Sequence, residues 1–306
     1  MHAHSPALNR PPLSLCALES VATVAAIELA GAVPVLVDIE PDTFLIDPSK
    51  IENAISSRTH AIIPVHLFGQ PADLSAILAI AQPHAIHVIE DCAQAHGALY
   101  RDKRVGNWGI AGCFSFYPTK NLGAIGDGGM VVTDDENLAS EVRKLREYGW
   151  RERFISEVPG LNSRLDEIQA AILRVKLRHL DRSNDRRRQI AEQYTHALSS
   201  QLAVPVVKAS RTSVFHQYVV RSSARGDLQS DLRGQGVGTA VHYPTPIHLQ
   251  PAYRGRIGDN GSFPVAERAA GEILSLPLYP ELDTSQIERV INAIRNSFAA
   301  AGYARI

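Results

Sequence analysis

The chain is short of cysteine, of net charge and of long apolar runs, and each shortage removes a class of function. Cys16, Cys92 and Cys113 are its three cysteines in 306 residues, too few and too scattered for a disulfide framework or a zinc site. No metal is expected, and His2 and His4 read as solvated residues of a fraying terminus. Formal net charge is −1, so no overall field favours nucleic acid or an anionic membrane. The most apolar stretch, Val21 to Val37, is interrupted by Glu28, Gly31 and Pro34 and is too short to span a bilayer. The opening residues carry no basic region followed by an apolar core, so no secretory signal is expected. The expectation is a cytoplasmic protein with reduced thiols, no nucleic-acid partner and no membrane.

Apolar, β-branched runs beat through the first half at Val33–Ile39, His60–Leu67, His87–Ala93 and Cys113–Pro118, about 27 residues apart. That interval is a strand plus a crossover helix. Helical patterns lie between the first three, at Pro48–Ser57 (with Asp47 as cap) and Asp73–Ala81. Runs apolar on both faces predict an α/β layered domain with a largely parallel sheet covered on both sides. Ligands then bind where the strands end, which makes Asp38, His66, Asp91 and Tyr117 the first candidates for chemistry.

From Leu165 to about Ser200 the pattern is helical, capped by Asn162 or Ser163, with Ile168, Ala171, Ile172, Val175 and Leu180 as an apolar stripe. The basic run Arg182–Gln189 reads as a solvated face. Short strands, a glycine-rich turn, a Pro/His-rich loop and a closing helix from Ser285 follow. They predict a large domain over 1–200 and a smaller α+β domain over 201–306.

Three features carry chemistry. In IEDCAQAHGA, Asp91 ends a buried strand and Gln94 follows. In SFYPTKNLGAIGDGG, a strand runs into a proline turn, then Lys120, then a glycine-rich loop. In PGLNSRLDEIQ, an Asn-Ser turn opens the long helix. A lysine on a constrained turn in apolar surroundings is partly desolvated, which frees its amine for Schiff-base chemistry. A carboxylate at a neighbouring strand end can keep a pyridine nitrogen protonated, and Ser115 can donate to a phosphate. The glycine loop lacks the spacing of a Walker loop or a dinucleotide fingerprint.

These segments, with PVHLFGQPADL and LNSRLDEIQAAILRVKL, resemble the DegT/DnrJ/EryC1/StrS family of sugar aminotransferases from about Val21 onward. The resemblance implies the type I fold of pyridoxal-phosphate-dependent transferases, a homodimer and an active site between subunits. Lys120 would be the Schiff-base lysine and shuttle the proton. Asp91 would pair with the pyridine nitrogen, Gln94 with the phenolic oxygen and Ser115 with the phosphate, which Asn162 would reach from the partner subunit. In VHYPTPIHLQPAY, His242 and Tyr243 would touch the sugar. The implied reaction takes an amino group from glutamate or glutamine to a keto-deoxysugar nucleotide, with a lean toward dTDP-linked 3-keto-6-deoxyhexoses.

The front departs from the family pattern. Family members open with a longer segment whose amides bind the cofactor phosphate, whereas MHAHSPALNRPPLSLCALE reads as unrelated sequence. The family's ring-stacking aromatic falls on Ser20. The competing expectation is therefore a truncated, catalytically impaired or noncatalytic member acting as a binding or regulatory protein. A sugar dehydratase of the same fold would carry histidine where Lys120 stands. His66 and His96 also read as satisfied core histidines, and Trp108 and Trp150 as packing residues.

Overall fold

The four apolar runs become parallel strands of one six-stranded sheet. The computed structural model describes residues 12–16 (backbone only), 21–257 and 263–303; His2, His4 and Ser20 lie outside the described residues. Strands β1 (Pro12–Cys16), β2 (Val33–Val37), β3 (Ala61–Ile63) and β4 (His87–Asp91) come first in the chain. The short β5 (Leu99–Tyr100) and β6 (Lys103–Arg104) form an excursion that pairs with Arg211–Thr212. Then come β7 (Ala111–Ser115) and β8 (Gly129–Val132). The large sheet runs β2-β1-β3-β4-β7-β8. Its pairs are parallel except β7–β8.

One expectation at the front is corrected. The opening residues do not all stand apart: Pro12–Cys16 lies between β2 and β3 and pairs with both. Five residues hidden in a segment rich in turn formers suffice for a strand once two neighbours supply its hydrogen bonds.

The connections follow local rules. Helix α1 (Val21–Leu29) buries Thr23, Val24 and Ile27. Helix α2 (Pro48–Ile51) starts at Asp47, whose carboxylate accepts from the Ser49 amide, and continues as a 3₁₀ turn, Glu52–Ala54. Helix α3 (Leu74–Ala81) is capped by Asp73. Helix α4 (Glu136–Leu145) is capped by Asp135. The predicted long helix is two, α5 (Glu167–Leu177) and α6 (Leu180–Leu198). The cap expected at Asn162 or Ser163 is corrected: Asp166 occupies the N-cap position.

Helices α7 (Arg225–Gly234), α8 (Pro264–Glu272) and α9 (Thr284–Ala301) follow, with an antiparallel pair of strands, Tyr218–Arg221 and Ile273–Leu276. Asp283 and Gln286 form a reciprocal capping box at the start of α9. One apolar cluster joins Val24, Leu36, Ile62, Ile77 and Val88 to Ile247 and Ala266. A second gathers Ile190, Tyr194, Tyr218, Leu232, Leu274 and Ile294.

Three sequence readings change in the fold. Asp38, a candidate for chemistry, accepts from the Val265 and Ala266 amides and pairs with Lys50. It caps α8 across more than two hundred residues of chain. The Arg182–Gln189 run is not wholly a solvated face, because buried Arg187 donates to the carbonyls of Phe215, His216 and Leu278. Arg186 docks on the Leu282 carbonyl. The apolar stripe of α5 is present, yet Ile168 is 69% and Val175 49% exposed. Only Leu173 of that helix is buried.

Candidate active site

Parallel pairing brings the C-terminal ends of β4 and β7 to one edge, and with them Asp91 and Ser115. Asp91 is held from both sides. Its Oδ2 accepts from the Thr23 hydroxyl at 2.7 Å, and its Oδ1 from the Ala93 amide at 3.0 Å. Two donors fix the orientation of the carboxylate while each oxygen keeps a further lone pair.

Lys120 sits on the turn after β7, where its amide donates to the Tyr117 carbonyl at 2.9 Å. The turn is tight. A Cβ at Gly123 would meet the Pro118 carbonyl oxygen at 2.4 Å, so the chain needs glycine there. The Lys120 ε-amine is partly buried and has no hydrogen-bond or ion-pair partner among the described residues. Burial pulls its pKa below the usual lysine range, and the nearby Asp91 charge opposes that without cancelling it.

Gln94 is buried with its amide oriented. Its Oε1 accepts from the Phe68 amide and its Nε2 donates to the Tyr243 hydroxyl, both at 2.6 Å. Phe68 and Tyr243, joined by this amide, both sit in the left-handed region, at φ 57 and 60°. Such backbone persists where surrounding contacts over-determine it, as at ligand sites. The second Nε2 hydrogen of Gln94 is not used by either contact.

The Ser115 hydroxyl accepts from the Tyr117 amide at 3.3 Å and keeps its own proton to donate. His242 meets the Ser275 hydroxyl through Nδ1 at 2.8 Å. Its pKa is lowered by burial and then by the Lys120 charge. The structure therefore groups Lys120, Asp91 and His242, and ties Tyr243 to Gln94. Asn162 is not brought to them: it is exposed, accepts from Arg164 Nε at 3.0 Å and lines a groove with Cys113, Gly129 and Arg146. Tyr117 is half-exposed and makes no side-chain hydrogen bond among the described residues.

The two core histidines part ways. His66 is fully buried and satisfied, with Nδ1 accepting from the Ala72 amide and Nε2 donating to Glu90 at 3.1 Å. His66, Glu90 and Cys92 have ligand-type atoms within 4.8 Å of one another. Both His66 nitrogens are engaged, however, and burial, followed by the Glu90, Asp91 and Cys113 charges, pushes the Cys92 thiol well up. His66 and Glu90 are a hydrogen-bonded pair with the Cys92 thiol close beside them. His96 is different: it is buried between Phe114 and Phe116 with neither ring nitrogen in hydrogen-bonding geometry. Burial first, then the Lys120 charge, brings its pKa down to about 4, so its ring is neutral at physiological pH.

Sequence reasoning missed Thr23, the only described side chain that donates to Asp91. It also passed over Asn121, whose Oδ1 meets His216 Nδ1 at 3.0 Å. A hydroxyl on the buried face of an otherwise apolar helix was the available signal for Thr23. Trp108 packs edge-on against Tyr100, and Trp150 between Tyr148 and Phe154, as expected of packing residues.

Comparison with known proteins bears on this arrangement. The model of the DegT/DnrJ/EryC1/StrS aminotransferase family matches residues 15–295, so the match begins inside β1, ahead of the expected Val21. A pleiotropic regulatory protein of Geobacillus stearothermophilus is 50% identical over 277 residues, covering 89% of this chain and 74% of that protein. The dTDP-3-amino-3,4,6-trideoxy-alpha-D-glucose transaminase of Streptomyces venezuelae is 46% identical, over 90% of this chain and 73% of its own length. Among solved structures, S. venezuelae DesV in complex with a ketimine intermediate superposes with a TM-score of 0.91. It is 45% identical, over 94% of this chain and 78% of that one.

Proposed function

Since the chain belongs to the DegT/DnrJ/EryC1/StrS aminotransferase family, and is thus a pyridoxal-phosphate-dependent aminotransferase of type I fold, we propose that it aminates a keto-deoxysugar nucleotide. The proposed donor is glutamate or glutamine, and the proposed acceptor a dTDP-linked 3-keto-6-deoxyhexose. The observation that carries the reading is the unpaired, partly desolvated amine of Lys120 beside the doubly held carboxylate of Asp91.

The donor set fits the cofactor. An amine, a fixed carboxylate, an amide with a spare hydrogen and a hydroxyl with a free proton are the groups its aldehyde, ring nitrogen, phenolic oxygen and phosphate call for. When bound, pyridoxal phosphate supplies the electron sink that lets an amino group pass from donor to acceptor. Lys120 would supply the amine that holds the aldehyde and would move the proton at the reacting carbon. Asp91, oriented by Thr23 and Ala93, would keep the ring nitrogen protonated, and Gln94 would donate its spare hydrogen to the phenolic oxygen. Ser115 would donate to the phosphate. His242 and Tyr243 face the sugar, and the strained backbone of Tyr243 fixes where its ring stands. We assign these steps to a large domain over residues 1–200 closed by a smaller one over 201–306.

We further propose a homodimer in the cytoplasm. No helix among the described residues is long and apolar enough to cross a membrane. Ile125, Phe154, Leu161 and Ile168 are each at least 69% exposed, an apolar surface of the kind a second copy covers. Pairing there would bury the α5 stripe and bring the partner's Asn162 to the phosphate. Light scattering should return twice the mass of 33.3 kDa; a monomer at micromolar concentration would remove Asn162 from the site.

The activity is tested by incubating the protein with pyridoxal phosphate, glutamate or glutamine, and a panel of dTDP- and UDP-linked 3-keto and 4-keto sugars. Mass spectrometry should find the aminated product from a dTDP-3-keto-6-deoxyhexose. Product from UDP sugars alone would move the substrate class, and none from any sugar would favour a regulatory role.

A further inference from the structure

Gln94 sits three residues past the end of β4, buried, with an amide whose two ends cannot be exchanged. The Phe68 amide can only donate, so the atom it meets at 2.6 Å is Oε1. Nε2 is then the atom that faces the Tyr243 hydroxyl, also at 2.6 Å, and the hydroxyl oxygen accepts. An amide nitrogen carries two hydrogens, in one plane and in fixed directions. One is engaged by Tyr243, so whatever holds that hydrogen also sets where the other points. A single hydrogen bond from Phe68 would let the amide plane turn about it; the second, at the opposite end, stops the turn.

Both anchors are themselves held. Phe68 lies in the 3₁₀ turn Leu67–Gly69 that follows β3. Tyr243 lies in the Pro/His-rich loop, where Pro244 after it narrows the backbone further. Their rings pack at 6.2 Å with planes 30° apart, and Phe44 meets Phe68 edge-on at 6.0 Å. Tyr243 also packs against the apolar cluster that contains Leu36, Ile62 and Ile247. Its hydroxyl therefore stands on a ring with little room to swing, on backbone whose positive φ is kept by these contacts.

We propose that Tyr243 is a positioning residue for the cofactor, acting through Gln94: its hydroxyl takes one Nε2 hydrogen and so aims the other at the phenolic oxygen. This role is separate from the sugar contact assigned to Tyr243 above, and it rests on the reading of Gln94 as the residue that meets that oxygen. A hydrogen bond donated to a phenolic oxygen favours its charged form. It also draws charge from the neighbouring nitrogen held by Lys120 and lowers that nitrogen's affinity for a proton. The visible band of the bound cofactor changes with that protonation, so its titration reads how well Gln94 is aimed.

The test titrates the visible absorption of the full chain loaded with pyridoxal phosphate. Gln94→Ala should raise the pKa of that band by about one unit, the tenfold change of one net hydrogen bond. Tyr243→Phe, which keeps the ring and its packing and removes only the acceptor oxygen, should raise it by about half a unit. In the Gln94→Ala background Tyr243→Phe should add nothing, because the residue through which it acts is gone. A Tyr243→Phe variant with the parental pKa, whether or not its KM for the sugar nucleotide rises, overturns the proposal alone. So does one whose full shift adds to that of Gln94→Ala. Gln94→Ala with the parental pKa, or a folded parent that retains no cofactor, overturns the reading of Gln94 and this proposal with it.

Discussion

Replacing Lys120 with alanine should abolish transamination, lowering kcat by about 10⁴-fold, the upper range for a side chain that moves a proton in the transition state, while leaving the protein folded. The structure separates the two effects. The ε-amine has no partner whose loss would leave a buried group unsatisfied, and the turn that carries it is held by its own backbone and by Gly123. Thermal stability should therefore change by no more than about 1 kcal/mol. Lys120→Arg should fare no better in activity, since a guanidinium stays protonated and is no nucleophile. A small primary amine in the buffer should restore part of the lost rate in Lys120→Ala. A variant retaining more than about a tenth of parental kcat would show that another group performs the chemistry assigned to Lys120.

Glu90→Gln should have the largest effect on stability, with activity lost only as the fold is lost. Glu90 is fully buried, and its two oxygens accept four hydrogen bonds. Oε2 takes His66 Nε2 and the Gly106 amide; Oε1 takes the Trp108 and Gly109 amides. A glutamine has the same shape but presents an NH₂ on one side. Whichever way it lies, two donors point at two hydrogens. Opposing buried donors leave desolvation penalties uncompensated, each about 1–3 kcal/mol, so the loss should be about 3–5 kcal/mol by urea denaturation.

The pH dependence has a definite sign. Burial alone would raise the Glu90 pKa, but the His66 ring and the Gly106 and Gly109 amides outweigh it and leave the carboxyl below its ordinary value of 4.5. A carboxyl whose pKa is lower in the folded state binds its proton more readily when unfolded. Its stabilisation is therefore present above the ordinary pKa and lost as pH falls through the depressed one. The gap between parent and Glu90→Gln should be full at neutral pH and narrow in acid below that value. A gap that widens in acid would mean that Glu90 is protonated in the native protein.

The sheet was legible because its strands are written locally: four apolar runs, one crossover interval apart, each ending at a polar residue. The strand from Pro12 to Cys16 was not, because its place between β2 and β3 depends on partners distant in sequence rather than on its own pattern. Asp91, Gln94 and Ser115 were legible as residue types next to strand ends. Their partners were not: Thr23 lies 68 residues from Asp91, and Tyr243 149 from Gln94. The arginine run misled for a related reason, since a helix face looks solvated until the chain that covers Arg187 is known. The α5 stripe erred in the opposite sense, reading as core in a helix whose face is open in a single chain. His66 and His96 looked alike in sequence, and only their neighbours distinguish a satisfied imidazole from one whose nitrogens make no well-formed hydrogen bond.

The central claim is that Lys120 is the amine that holds the cofactor. The direct test loads the protein with pyridoxal phosphate, removes the excess, reduces with borohydride and maps the modified peptide. A visible absorption band that is lost on reduction, with a phosphopyridoxyl group on Lys120 in the peptide containing Tyr117-Pro118-Thr119, is the predicted result. A folded protein that retains no cofactor, or one labelled at a different lysine, would contradict it.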